Sequence, residues 1–248
     1  MLLTADIGNS GITLGFFKEK KLIQTYKILL KTDEKELKND IKTDFNISNC
    51  IISSVVRGYD IKIKKIIDQS FNINSNIITN SDINKIIPNI TKEPDKTGVD
   101  RLINVYSAMK QYSSPAIVID LGTATTFDIL NSKSEFIGGI IMPGISTQLK
   151  SLHSETSLLP QIQPEKINKT IGVDTKSSIL SGIIRGQACA ISGLIQQCKK
   201  EMGENPKVIL TGGYSDLISE YLDEYDILDR NLTLQGLRLL WEDIFQGN

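Results

Sequence analysis

Two aspartates at the ends of apolar runs carry the strongest sign of chemistry in this chain. Asp6 opens Asp6-Ile7-Gly8-Asn9-Ser10 after Met1–Ala5, and Asp120 opens Asp120-Leu121-Gly122-Thr123-Ala124 after Ala116–Ile119. Each is followed by a second strand-like run, Ile12–Phe17 in one case and Thr125–Leu130 in the other. The unit of strand, Asp-x-Gly turn and strand therefore occurs twice. A glycine in such a turn lets the backbone approach a phosphate, because no Cβ stands in the way. Neighbouring hydroxyls and amide N–H groups can donate to phosphate oxygens, and an aspartate at a strand end can hold a cation, directly or through water. One Asp-x-Gly-Asn is ordinary turn chemistry. Its recurrence raises it above that, since two such turns facing each other would form a nucleotide cleft.

Three further segments have the right residue types for a site. Thr97-Gly98-Val99-Asp100-Arg101 stands at the start of a predicted helix, where the helix N-terminus favours the negative charge of Asp100. Arg101 can make a bidentate contact to a carboxylate, and Asp100 could accept a proton from a substrate hydroxyl. An Asp100 helix cap beside a surface arginine would look the same, and both readings stay open on spacing alone. Thr211-Gly212-Gly213 after a strand is either a turn under an adenosine or a tight strand-to-helix turn. The paired glycines of Gly138-Gly139-Ile140-Ile141-Met142-Pro143-Gly144 either admit a ligand or shape a bend. His153 is the only histidine, so a histidine metal cluster is excluded, and it reads as a helix-end surface residue. Trp241 reads as core. In Ile171-Gly172-Val173-Asp174-Thr175, Asp174 or Thr175 can simply cap a helix. There is no G-x-x-x-x-G-K-[ST] and no G-x-G-x-x-G, so neither a P-loop nor a Rossmann dinucleotide site is supported.

Composition narrows the class. The 248 residues carry 28 basic and 29 acidic side chains, a net charge of -1. That balance offers no electrostatic footprint for nucleic acid. Asp6 interrupts the N-terminal apolar stretch, so no secretory leader is expected, and no apolar run approaches the roughly 20 residues of a membrane helix. Cys50, Cys189 and Cys198 are odd in number and widely spaced, which fits a reducing compartment and neither a disulfide framework nor zinc.

The elements that must position these residues follow from periodicity. β-Branched and aromatic clusters predict strands at Leu2–Ile7, Ile12–Phe17 and Leu22–Ile28. A charged helix follows, with Thr32 or Asp33 as its cap. Cys50–Val56 reads as a buried parallel strand, then a helix bearing Ile61, Ile63, Ile66 and Ile67, a short strand at Asn76–Thr79 and a helix from Arg101 to Tyr112. The pattern restarts after Ser113-Ser114-Pro115, a natural hinge. Strands are predicted at Ala116–Asp120, Thr125–Leu130 and Phe136–Ile141. Met142-Pro143-Gly144 opens a helix to about Leu152. A long helix spans Thr175 to Lys200, Val208–Leu210 is a strand, and the last helix is Leu232 to Phe245. Three antiparallel strands followed by α/β crossovers, occurring twice, is the order of the duplicated ribonuclease-H-like fold of actin, sugar kinases and chaperone ATPases. The expected domains are residues 1–114 and 115–248, two similar α/β units with a cleft between them.

Taken together, these motifs resemble the type III pantothenate kinase family. The likeness is carried by D-I-G-N-S at 6–10, T-G-V-D-R at 97–101, D-L-G-T-A-T-T-F-D at 120–128, G-G-I-I-M-P-G at 138–144, G-V-D-T-K-S-S-I at 172–179, L-T-G-G at 210–213 and L-Q-G-L at 234–237. They stand in the family's order and span nearly the whole chain. The resemblance implies ATP-dependent phosphorylation of the primary hydroxyl of pantothenate, the first step of coenzyme A synthesis, in a cytoplasmic homodimer with no membrane or nucleic-acid partner. Carried over by position, Asp6, Ile7, Gly8, Asn9, Ser10, Gly11, Ile12 and Thr13 form the ATP phosphate segment, with Mg2+ on the Asp6 side, and Thr123 contacts ATP. Gly98, Val99, Asp100, Arg101 and Thr175 bind pantothenate, with Asp100 as base and Arg101 towards the substrate carboxylate. Asp120 holds the monovalent cation, K+ or NH4+. Two departures stand out: Thr91 occupies the place of a usual Tyr, and Asp174-Thr175 the place of a common Asn-Thr.

Two other readings compete. A non-catalytic regulatory relative would tolerate loss of the base, yet Asp6, Asp100 and Asp120 are all present. A related kinase with another small hydroxylated acceptor would differ in the Thr97–Arg101 segment, which favours pantothenate only through the family.

Overall fold

The structure is a computed structural model that describes residues 1–30, 34–41 and 43–246. It divides into two compact units, one formed by Met1–Ser107 with the C-terminal stretch from Leu232, the other by Ala108–Asn231.

In the first unit, β1 (Leu2–Gly8), β2 (Gly11–Lys18) and β3 (Lys21–Ile28) form an antiparallel meander. After α1 (Glu34–Asp40), β4 (Asn49–Ser54) returns parallel to β1, and after α2 (Tyr59–Phe71) the short β5 (Asn76–Ile77) adds parallel to β4. The sheet order is β3-β2-β1-β4-β5. β1 is central and buried along most of its length, whereas the edge strand β3 alternates exposed and half-buried positions. That contrast is what a doubly covered strand beside a solvent-facing one should show. Leu3, Ala5, Ile7, Ile12, Leu14 and Phe16 pack with Leu37 and Ile41 after the loop and with Ile63, Ile66 and Ile67 of α2 in one cluster. The predicted caps Thr32 and Asp33 lie outside the described residues. After α3 (Asn80–Ile83), which begins with a reciprocal Thr79–Asp82 capping box, a short 3₁₀ turn at Pro94–Lys96 leads into α4 (Val99–Tyr112).

The second unit repeats the plan. β6 (Ala116–Leu121), β7 (Ala124–Leu130) and β8 (Phe136–Pro143) are an antiparallel meander, followed by α5 (Ile145–Ser154). Then come α6 (Thr175–Leu180), a π-helical turn at Ser181–Arg185 and α7 (Gly186–Met202), which run on as one long helix. β9 (Lys207–Thr211) lies parallel to β6, and after α8 (Ser215–Ser219) the short β10 (Ile227–Leu228) lies parallel to β9. The order β10-β9-β6-β7-β8 is the first sheet's order repeated strand for strand. Residues Thr175–Met202 are long and apolar enough to cross a membrane by length and composition alone. Leu180, Ile183, Ile184, Ala188, Ile191 and Ile195 of that stretch are instead buried in the core against Ile117, Ile119, Leu121 and Leu210.

The structure shifts several predicted bounds. Met142 and Pro143 finish β8, and α5 begins only at Ile145. The last helix is α9 (Leu232–Trp241), extended by a π turn at Glu242–Gln246. The larger difference concerns where the units divide. The sequence reading set the boundary at 114/115 and kept residues 232–248 with the second half, whereas α9 packs on β1, β2 and β4 of the first unit. Amphipathic periodicity shows that a helix has an apolar face but not which sheet will take it.

The L-Q-G-L segment explains this attachment. A Cβ on Gly236 would lie 2.7 Å from Ile103 Cγ2 and 2.8 Å from Ile103 O, so α9 rests directly on α4. Ser107 Oγ donates to Leu232 O at 2.8 Å, Thr233 Oγ1 to Asn104 Oδ1 at 2.7 Å, and Tyr106 OH to Asp243 Oδ2 at 2.7 Å. Inserting methyl groups at such a contact costs roughly 1–3 kcal/mol. We therefore expect Gly236→Val to lower stability by about that amount in urea unfolding of the whole chain; unchanged stability would contradict the close helix packing.

Candidate active site

The first Asp-x-Gly segment folds as the tight hairpin between β1 and β2. Gly8 pairs with Gly11, and Asn9 and Ser10 form the exposed turn. Ile7 and Ile12 are fully buried in the core. Of these two expected ATP contacts, only the backbone is therefore available to a ligand. Asp6 sits two residues before the turn and pairs with Thr13 on β2 and with Ser53 on β4. Ser53 is fully buried, and its Oγ donates to Asp6 Oδ1 at 2.8 Å. Sequence reading missed Ser53, which lies 47 residues from Asp6 and becomes visible only once the β1–β4 register is known.

The second segment builds the matching hairpin between β6 and β7 and anchors it on α5. Gly144 N donates to Thr123 O at 3.0 Å and Thr147 Oγ1 to the same oxygen at 2.6 Å. Thr123 itself is exposed in the turn. A buried polar chain underlies it: Gln187 Nε2 donates to Thr125 Oγ1 at 2.8 Å, and Gln148 donates to Gln187 Oε1. Asp120 pairs with Thr126 on β7 and Thr211 on β9. Gly212 follows with φ of +91°, and a Cβ there would overlap both Asp120 Oδ1 and the Leu121 backbone. The Thr211-Gly212-Gly213 turn thus bears on the Asp120 carboxylate.

Asp100 lies in the first turn of α4, half-buried, with Oδ1 accepting from Arg101 N at 2.9 Å. A Cβ on Gly98 would stand 2.5 Å from that same oxygen, so glycine is what allows the carboxylate to fold back over the helix start. Burial pushes the Asp100 carboxyl above its ordinary range, while the Arg101 N–H and the Arg101 charge pull it partly back. A carboxylate raised in this way is a better proton acceptor. The loop leading in is held by Asn89, whose Nδ2 donates to Thr97 Oγ1 at 3.1 Å and Pro94 O at 3.3 Å. Thr91 donates to Asn89 Oδ1 at 2.7 Å. Asn80 also donates to Thr97 O.

Thr175 is the exposed first residue of α6, and Asp174 is the N-cap, its Oδ1 accepting from Ser177 N at 2.8 Å. That hydrogen bond holds the Asp174 carboxyl below its usual range. His153 is exposed in the last turn of α5, and Trp241 is half-buried rather than core. Asp6 and Gly98–Arg101 belong to the first unit, and Asp120, Thr123 and Thr175 to the second. Among the described residues no group of three or more His, Cys, Asp or Glu could hold a metal. Single oriented carboxylates fit a magnesium ion that arrives with nucleotide, because Mg2+ is usually bound through one or two carboxylates plus substrate phosphates.

Two units of one topology, each with an Asp-x-Gly hairpin, give the chain the duplicated α/β fold of sugar-kinase-like and actin-like proteins. A Sinorhizobium meliloti protein assigned as a 2-dehydro-3-deoxygalactonokinase superposes with a TM-score of 0.58 at 12% identity, covering 99% of both chains. A Campylobacter jejuni protein assigned to the Baf family of transcriptional activators gives 0.61 at 20% identity, covering 97% of this chain and 98% of its own. Both are likenesses of fold. The family model for type III pantothenate kinase matches residues 2–197. The type III pantothenate kinase of Persephonella marina is 35% identical over the full length of both chains. The chain belongs to the type III pantothenate kinase family.

Two outcomes follow from this geometry. Because the folded chain holds the Asp100 proton more tightly than the unfolded chain, stability falls as pH rises through the window from 3.8 to the raised value. Asp100→Asn should therefore gain stability relative to the parent as pH rises through that window, and keep the gain at neutral pH. An Asn variant that is less stable at neutral pH would contradict the burial cost. Gly212→Ala should lose at least about 1–2 kcal/mol in chemical unfolding, from the left-handed backbone alone; parental stability would contradict the close approach to Asp120.

Proposed function

We propose that this chain transfers the γ-phosphoryl group of ATP to the primary hydroxyl of pantothenate, giving 4'-phosphopantothenate for coenzyme A synthesis. The observation that carries the reading is the full-length match to a pantothenate kinase, with Asp6, Asp100 and Asp120 all present.

Phosphoryl transfer asks the protein mainly for in-line positioning and charge stabilisation. In our reading the backbone N–H groups of Gly8–Thr13 and the Asn9 and Ser10 side chains bind the phosphates. Asp6 would hold Mg2+ or its waters, and Thr123 contacts the nucleotide. Mg2+, when bound with ATP, supplies neutralisation of the charge on the β- and γ-phosphates. Asp120 would hold a monovalent cation, K+ or NH4+, as the family resemblance implies. Gly98, Val99 and Arg101 bind pantothenate, with Arg101 on its carboxylate, and Thr175 makes a further contact. Asp100 orients the attacking hydroxyl and takes its proton as the bond to phosphorus forms, while ADP leaves. Its elevated proton affinity supports that assignment. We read the active species as a cytoplasmic homodimer, on the family resemblance.

The test is ADP release with pantothenate as acceptor, in potassium and with sodium in its place. Turnover in potassium that falls in sodium is expected. Asp100→Asn should lower kcat by about 10²–10⁴-fold, the usual contribution of a general base, in a chain that still binds ATP. No turnover with pantothenate in potassium would sink the reading, and near-parental kcat in the Asn variant would remove Asp100 from its role.

A further inference from the structure

We infer that Ser53 is a positioning residue for the nucleotide-bound metal, acting through Asp6. The inference rests on the proposed role of Asp6 at the phosphates. Thr13, Asp6 and Ser53 form one polar row across three adjacent strands, β2, β1 and β4, set by the register on either side of β1. Ser53 itself is fully buried, while Ile7, Ile12 and Ile52 beside the row alternate onto the opposite face, in the core. A buried hydroxyl in such a setting must find a partner, and this one donates to Asp6 Oδ1 at 2.8 Å. A hydrogen bond to one carboxylate oxygen fixes the rotation of the carboxylate plane, and thereby the directions in which the group can receive a cation or its water. Partners of this kind behind a ligand are worth 10–100-fold in metal affinity or activity when removed.

The adjacent serine gives the contrast. Ser54 Oγ donates to Val56 O at 3.0 Å and accepts from Val56 N at 3.1 Å, so its hydroxyl closes the local turn after β4. Two neighbouring serines on one strand thus do different work. Alternation along a strand puts them on opposite faces, and only Ser53 shares the face of Asp6.

The experiment uses the full chain with Mn2+–ATP as probe, bound Mn2+ being read by electron spin resonance or calorimetry and turnover measured alongside. Ser53→Ala should weaken Mn2+–ATP binding by about 10–100-fold and raise the Mg2+ needed for half-maximal turnover, while KM for pantothenate stays put. Ser53→Thr, which keeps the hydroxyl, should recover most of the loss, and Ser54→Ala should leave Mn2+–ATP binding at the parental level. In an Asp6→Asn background, Ser53→Ala should cost little more. Parental Mn2+–ATP affinity in a folded Ser53→Ala chain would overturn the proposal, and so would an undiminished cost in the Asp6→Asn background. Should the alanine variant fail to fold, Ser53→Cys nearly preserves volume and replaces a strong donor with a weak one; parental affinity there would overturn it equally. A parent chain that binds Mn2+–ATP but ignores pantothenate sinks the acceptor assignment and leaves Ser53 standing. A parent chain that does not bind Mn2+–ATP overturns both.

Discussion

Register is the constraint on which the site depends. In each sheet a carboxylate near the end of the central strand is flanked by a hydroxyl on both neighbours: Thr13 and Ser53 beside Asp6, Thr126 and Thr211 beside Asp120. A slip of one residue in a strand would carry its whole polar set to the other face. What prevents it is burial. Ile7 and Ile12 in one hairpin and Leu121 and Phe127 in the other are locked in their cores. The hydrophobic pattern that folds each sheet also decides where its carboxylate stands.

The two copies keep the same strand order yet treat their aspartates differently. Around Asp6 the parallel neighbour supplies a donor, the Ser53 hydroxyl. Just past the strand parallel to that of Asp120, Gly212 has no Cβ where Asp120 Oδ1 lies. A donor constrains one oxygen and suits a carboxylate that must present a fixed direction. The first turn is left with Asn9 and Ser10 exposed for a ligand, whereas the second is stapled to α5 through Thr123 O.

Much of this was legible before any coordinates. The strands of both meanders declared themselves because β-branched runs bounded by glycine and asparagine have few alternatives. The Asp-x-Gly turns were legible because they repeat. What the chain concealed depends on distant pairing. Ser53 looks like any serine until β4 is placed beside β1, and Gly212 looks like any turn glycine until β9 is placed beside β6. The placement of α9 was hidden for the same reason, since Leu234 and Gly236 show an apolar face and a small residue but not their partners on β2 and α4.

The loop before Asp100 is tied together by side-chain hydrogen bonds. Thr91 turns back on Asn89, which in turn holds Thr97 and Pro94. These bonds give Gly98–Arg101 internal support from the preceding loop. That support matters because Asp100 occupies an unfavourable position: it is partly desolvated, and its Oδ1 lies where a Cβ on Gly98 would stand. A group held where its charge is costly lowers the stability of the fold in order to bind a proton better, and only a well-tied loop can sustain it.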